Sequence, residues 1–159
     1  MKQIIYLVIF GGLSACALKT EEKGDLPSFN LLLVDSTTVL NTSTIPDGKT
    51  ISLLFFSPDC EHCQEETESI IKNMNSLKNV QFYFVTIDPF DRLKIFNQYY
   101  QLSQYTNIIL GRDYTFSFPK YFDIKTTPFL AIYNKHKQLK VVLKGAFKVG
   151  RIIEEINKL

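Results

Sequence analysis

Ile51-Ser52-Leu53-Leu54-Phe55-Phe56-Ser57-Pro58-Asp59-Cys60-Glu61-His62-Cys63 is the stretch from which the fold can be read. Its first six residues form an almost unbroken apolar run, the pattern of a central strand covered on both faces. Ser57-Pro58-Asp59 stops the run with side chains suited to cap a helix and a proline suited to start one. From Cys60 to Leu77, the residues Cys63, Thr67, Ile70, Ile71, Met74 and Leu77 recur at helical spacing, and Glu65, Glu68 and Lys72 lie away from that face. An amphipathic helix is the expected result. Val80 to Ile87 is the next β run, so strand, helix and strand make a βαβ unit with a right-handed crossover and parallel strands.

Toward the C-terminus, Phe90, Leu93, Phe96 and Tyr100 mark a second helix, Asn107 to Leu110 a short strand, and Tyr114 to Phe122 a turn of helix closed by Pro119. Phe129 to Tyr133 and Leu139 to Leu143 are β runs joined by the polar Asn134 to Gln138, a hairpin ended by Gly145. Lys148 to Leu159, apolar at Ile152, Ile153, Ile156 and Leu159, is a final amphipathic helix. On the other side, Phe29 to Val34 and Val39 to Ile45 pair across Asp35-Ser36. The order predicts one α/β domain over 26–159, a central mixed β-sheet flanked by helices with an N-terminal hairpin extension. Composition agrees: of 159 residues, 45% are hydrophobic and 21% charged, which suits a single core and excludes fibrous or wholly disordered chains. A net charge of +2 without any Lys/Arg block offers no footprint for nucleic acid or for an anionic membrane surface, so neither is an expected partner of the domain.

The first residues read differently. Lys2 precedes an apolar run, Ile4 to Leu13, too short to cross about 30 Å of hydrocarbon as a helix, and the run ends in Leu13-Ser14-Ala15-Cys16. These four residues resemble the lipobox of bacterial lipoproteins. The resemblance implies a signal peptide over 1–15, removed on export, and a lipid on Cys16. Residues 16–25, Lys/Glu-rich and without apolar period, would be the lipidated Cys and a flexible tether. The domain would then stand in the bacterial cell envelope, anchored to a membrane and facing the periplasm or the exterior, where disulfides persist.

Chemistry concentrates at Cys60-Glu61-His62-Cys63. Two cysteines three apart on the first helical turn can close a small disulfide ring, and the helix N-terminus offers free N–H groups and partial positive charge to a thiolate. Cys60 belongs at the exposed tip and Cys63 on the buried stripe, which makes Cys60 the expected nucleophile and Cys63 the resolving thiol. His62, if cationic, favours the Cys60 thiolate, whereas Asp59 and Glu61 oppose it. Competing readings are a structural disulfide, which closes too short a loop to contribute much, and half a zinc site, for which a second Cys pair is lacking and the other histidine is His136. A peroxidatic cysteine is a third: Ser57 fits the pattern seen in peroxiredoxins, but Leu53 stands where their proline does. A further class is a non-enzymatic module that binds a metal ion through Cys60, Cys63 and His62, or an extended peptide.

With these residues in place, the chain resembles the thioredoxin-fold, extracytoplasmic, membrane-anchored thiol–disulfide oxidoreductases of the TlpA/ResA type. The resemblance implies that Thr127-Pro128 is a cis-proline dipeptide facing the disulfide, with Pro128 against Cys60 and the Thr127 backbone available to an extended substrate. It implies that Lys144-Gly145-Ala146-Phe147 is a strand end that a partner chain can approach, and that Glu66, three residues after Cys63, belongs to the exchange site. It also implies electron exchange with protein disulfides, an upstream electron donor or acceptor, and no cofactor beyond the Cys60–Cys63 disulfide itself. The anchored group mostly reduces its targets, whereas related Cys-x-His-Cys sites belong to oxidants and isomerases, so the direction stays open with reduction favoured. One departure is plain: Asp59 occupies the place before the first cysteine where thioredoxins usually have Trp.

Overall fold

The computed structural model describes residues 24–159. The signal-peptide reading and Cys16 lie outside the described residues. The elements are β1 (Asn30–Leu33), β2 (Val39–Asn41), β3 (Thr50–Phe55), α1 (Glu61–Lys72), α2 (Met74–Leu77), β4 (Val80–Thr86), α3 (Phe90–Tyr100), β5 (Ile108–Arg112), α4 (Ser117–Phe122), β6 (Phe129–Tyr133), β7 (Leu139–Lys144) and α5 (Val149–Ile156). They build one seven-stranded sheet in the order β2-β1-β5-β4-β3-β6-β7. β3, β4 and β5 are mutually parallel and the other pairings antiparallel, so the sheet is mixed.

β3 is central because its alternating residues are apolar on both sides. Leu54 and the following Phe56 join Cys63, Ile70, Phe84, Leu93, Phe96 and Ile152 under α1, α3 and α5. Ile51, Leu53 and Phe55 join Phe29, Ile45, Tyr83, Phe118 and Phe129 on the opposite face. Aromatic rings fill both layers: Phe56 lies 4.7 Å from Phe96, and Phe118 sits among Phe29, Phe55, Phe122 and Phe129.

The leading hairpin forms, but it is part of the sheet, since β1 also pairs with β5. Its second strand ends at Asn41, whose side chain accepts a hydrogen bond from the Ser43 N–H and starts a 3₁₀ turn. Close approach of β1 to β5 requires glycine at 111, because a Cβ there would sit 2.8 Å from Leu31 Cβ. Gly111→Ala should therefore cost about 2 kcal/mol and lower Tm by roughly 6 °C. An unchanged melting curve would show that β1 can shift without loss.

Three further expectations are corrected. The helix expected from Cys60 to Leu77 is broken at Asn73, whose side chain donates to the Ser69 carbonyl, and α2 is a separate turn. Pro119 does not close α4. It lies in the first turn, where its missing N–H is not needed, and the helix ends at Asp123 in the left-handed region. Gly24 and Asp25, assigned to the tether by composition, are already attached to the sheet: the Leu139 N–H donates to the Gly24 carbonyl at 2.7 Å, and Asp25 bridges Gln138.

Candidate thiol exchange site

β3 delivers the chain to the end of the sheet where α1 begins. Cys60 is the N-cap residue of α1, and its N–H donates to the Ser57 carbonyl at 3.1 Å. Ser57 and Asp59 do not cap the helix as expected. No side chain among the described residues does; Asp59 instead forms an ion pair with Arg92 from the first turn of α3. Gln64 fastens the loop from below by donating to the Pro58 carbonyl at 2.8 Å. Arg92 was not singled out by sequence reasoning. Its signal was faint: a cation in the first turn of α3 opposes the helix dipole but does not point to Asp59.

The two sulfurs are free thiols with unequal surroundings. Cys60 is partly exposed and Cys63 is fully buried. Cys60 Sγ lies 3.9 Å from the Thr127 carbonyl oxygen, to which the protonated thiol can donate. The Thr127–Pro128 peptide is cis, as the resemblance implied. Partial burial works against ionisation of Cys60. Hydrogen bonds from the Cys63 thiol, the Thr127 side chain and the backbone N–H groups of Cys63 and His62 outweigh it and bring the Cys60 pKa below its ordinary value. Burial, reinforced by the Cys60 neighbour, moves the Cys63 thiol the other way, well above its ordinary value.

The His62 ring does not face Cys60. It stands in solvent, with Nδ1 3.3 Å from Glu65 Oε2. The contribution of His62 to the thiolate is therefore its backbone N–H. His62→Ala should leave the Cys60 titration unchanged, whereas His62→Pro, which removes that N–H, should raise it and make the pair more reducing. Thiolate absorbance read against pH checks both variants, and a shift in His62→Ala as large as in His62→Pro would restore the role to the ring.

Glu66 lies on α1 one turn beyond Cys63 and is only 4% exposed, unlike the solvated Glu65 and Glu68 beside it. Burial raises its pKa from 4.5 to about 7. Among the described residues its Oε1 has no hydrogen-bond partner, and it borders a groove walled by Phe147 and Lys148 at the start of α5. Gly145, at φ +72°, turns the end of β7 back so that its N–H donates to the Pro128 carbonyl at 2.9 Å. The strand end thus meets the cis-proline loop. Among the described residues no group of three or more His, Cys, Asp or Glu could hold a metal ion, and His62 does not converge on the cysteines. No helix among them is long and apolar enough to cross a membrane.

A mixed sheet, Cys-x-x-Cys at the start of the helix after its central strand, and a cis-proline beside the first cysteine define a thioredoxin-like fold. Solved structures agree. A secreted Mycobacterium tuberculosis disulfide oxidoreductase homologous to E. coli DsbE superimposes with a TM-score of 0.69 at 16% identity, over 82% of this chain and 96% of that one. The thioredoxin domain of a Bacteroides vulgatus thiol-disulfide oxidoreductase gives 0.66 at 17% identity, over 84% and 96%. The exposed lipoprotein thioredoxin Etrx1 of Streptococcus pneumoniae gives 0.65 at 18%, over 84% and 100%. No known family's sequence profile matches the chain, and no curated protein does.

Proposed function

We propose that this chain is a thiol–disulfide oxidoreductase acting on protein disulfides outside the cytoplasm, and that it works as a reductant. The observation that carries the exchange reading is the inequality of the two thiols: Cys60, partly exposed and biased toward thiolate, beside the Thr127 carbonyl, and Cys63, buried and biased toward thiol. The reducing direction is taken from the resemblance to the membrane-anchored oxidoreductases, since a thiolate-biased Cys60 by itself favours the reduced pair. The solved neighbours named as oxidoreductases add support.

In this reading the Cys60 thiolate attacks one sulfur of a partner disulfide. The partner S–S bond breaks, a Cys60–partner bond forms, and the other partner sulfur leaves as thiolate. Cys63 then gives up its proton toward the Glu66 carboxylate and attacks Cys60 Sγ, releasing the second partner thiolate. Two electrons have passed to the partner, and the chain is left with a Cys60–Cys63 disulfide that a dithiol donor must reduce. The substrate's extended backbone would run along Thr127 and Pro128.

Reduction of insulin by dithiothreitol tests the activity: catalysed turnover is expected, and stoichiometric copper or zinc uptake without turnover would replace the enzyme by a binding module. The reduction potential of the pair tests the direction of electron flow. Lipidation at Cys16 completes the reading, supported by Leu13-Ser14-Ala15-Cys16. Cys16→Ser should leave the membrane fraction or remain unprocessed, and a variant still cleaved and labelled by a palmitate analogue would refute the anchor.

A further inference from the structure

The strands that carry the thiols toward one end of the sheet bring lysines together at the other. β3 and β4 run in parallel from Thr50 and Val80 toward the cysteines, while Tyr133 at the end of β6 lies beside the beginning of β3 and Leu139 at the start of β7 lies beside Tyr133. Lys78, Lys49, Lys135 and Lys140 flank these four strand ends, all exposed, and Lys137 occupies the β6–β7 turn. Strand spacing of about 4.8 Å puts the set within roughly 15 Å across the sheet. Asp47, paired with Lys137 at 3.6 Å, and Asp25 are the acidic residues among them, and Asp35 lies beyond β1, three strands from β3. α1 and α5 also finish toward this end, but there Lys72 pairs with Glu68, and Lys158 with Glu154 and Glu155. Five lysines against two aspartates on this face exceed the formal charge of the whole chain, +2. The opposite end mixes signs: Asp59, Glu61 and Glu65 near Cys60 stand with Arg92, Lys144 and Lys148.

The same end receives the tether. Gly24 and Asp25 are held by Leu139 and Gln138, and the Leu26 N–H donates to the Lys137 carbonyl. Eight residue steps from Cys16 to Gly24 reach at most about 28 Å. A lipid on Cys16 would therefore keep this face close enough to a bilayer to come within the roughly 8 Å over which charges act at physiological salt.

We infer that the tether end of the domain, formed by Lys49, Lys78, Lys135, Lys137 and Lys140, is a docking face for the anionic phospholipid headgroups of the membrane that holds the chain, so that Cys60 points away from it. The inference takes its geometry from the anchored reading above, but the charge pattern can be tested without the anchor. A chain of residues 17–159 contains every strand and helix of the described residues and both cores whole.

In vesicle co-sedimentation at low salt, this chain should bind phosphatidylcholine–phosphatidylglycerol vesicles about tenfold more tightly than phosphatidylcholine vesicles, and 0.5 M NaCl should remove the difference. Lys49→Gln/Lys135→Gln/Lys140→Gln should lose the preference. Lys94→Gln/Lys144→Gln/Lys148→Gln, an equal charge change near the thiol end, should keep it. Lysine acylation read by mass spectrometry should slow at the five lysines and not at Lys94 or Lys144. No preference for the anionic vesicles, equal loss in both triple variants, protection at Lys94 and Lys144, or self-association of the chain through the lysine face would each overturn the inference. The mass of the chain isolated from cells reports the lipid on Cys16 separately, so the two readings fail independently.

Discussion

Cys63→Ala, expressed in its own compartment and run on non-reducing gels, should accumulate disulfide-linked adducts that vanish on reduction, while Cys60→Ala should accumulate few or none. The argument rests on where each sulfur stands. Cys60 is partly exposed, stabilised as thiolate by N–H groups of its own helix turn, and adjacent to the Thr127 backbone along which a partner would lie. Cys63 is completely buried and biased toward the thiol, so no partner sulfur can align with it. Once Cys60 has formed a mixed disulfide, Cys63 attacks from a fixed position at high effective concentration. Its loss should lengthen the life of the intermediate by at least about 10³-fold. The trapped partners identify the substrates. Equal trapping by the two variants, or faster alkylation of Cys63 than of Cys60 in the reduced protein, would show that the roles are reversed.

Features decided by neighbouring residues were legible in the sequence. The run from Ile51 to Phe56 and the stripe through Cys63, Thr67 and Ile70 each report burial by their own periodicity, and the strand, helix and hairpin they predict are present. Features decided across the sheet were hidden. Pairing of β1 with β5 joins residues about eighty positions apart, and it converts an expected appendage into part of the sheet. Glu66 was visible beside Cys63, but its burial was not, because the groove it borders is completed by Phe147 and Lys148, far along the chain. Asp59 looked like a helix cap until Arg92, thirty-three residues on, was seen to hold it. The lysine-rich end escaped for the same reason: its charges come from separate segments, and no window of the sequence contains more than a few of them.

Glu66→Gln should make the protein more stable at pH 8 and a slower catalyst, and the two effects share one cause. A carboxyl that titrates at 4.5 when unfolded and about 7 when folded keeps its proton longer in the native state. Between those values the native state binds more protons than the unfolded one, so stability falls as pH rises through that window. At pH 8 the buried charge costs on the order of 3 kcal/mol. An amide of the same shape avoids that cost, and the protonated acid is as short of partners as the amide. The variant should thus gain about 3 kcal/mol over the native chain at pH 8 and differ little from it at pH 4.5. Cys63 titrates above this window and does not interfere. In the proposed exchange the same carboxylate, one helical turn from Cys63, takes the proton of the raised Cys63 thiol when it is ionised. Resolution of a preformed Cys60 mixed disulfide should therefore accelerate through pH 7 in the native chain, and should be slower by about 10²-fold without that inflection in Glu66→Gln. Denaturant unfolding at the two pH values and stopped-flow resolution across the range measure the two halves. Parallel stability profiles would place the Glu66 charge in water. A retained inflection would assign the proton to another group.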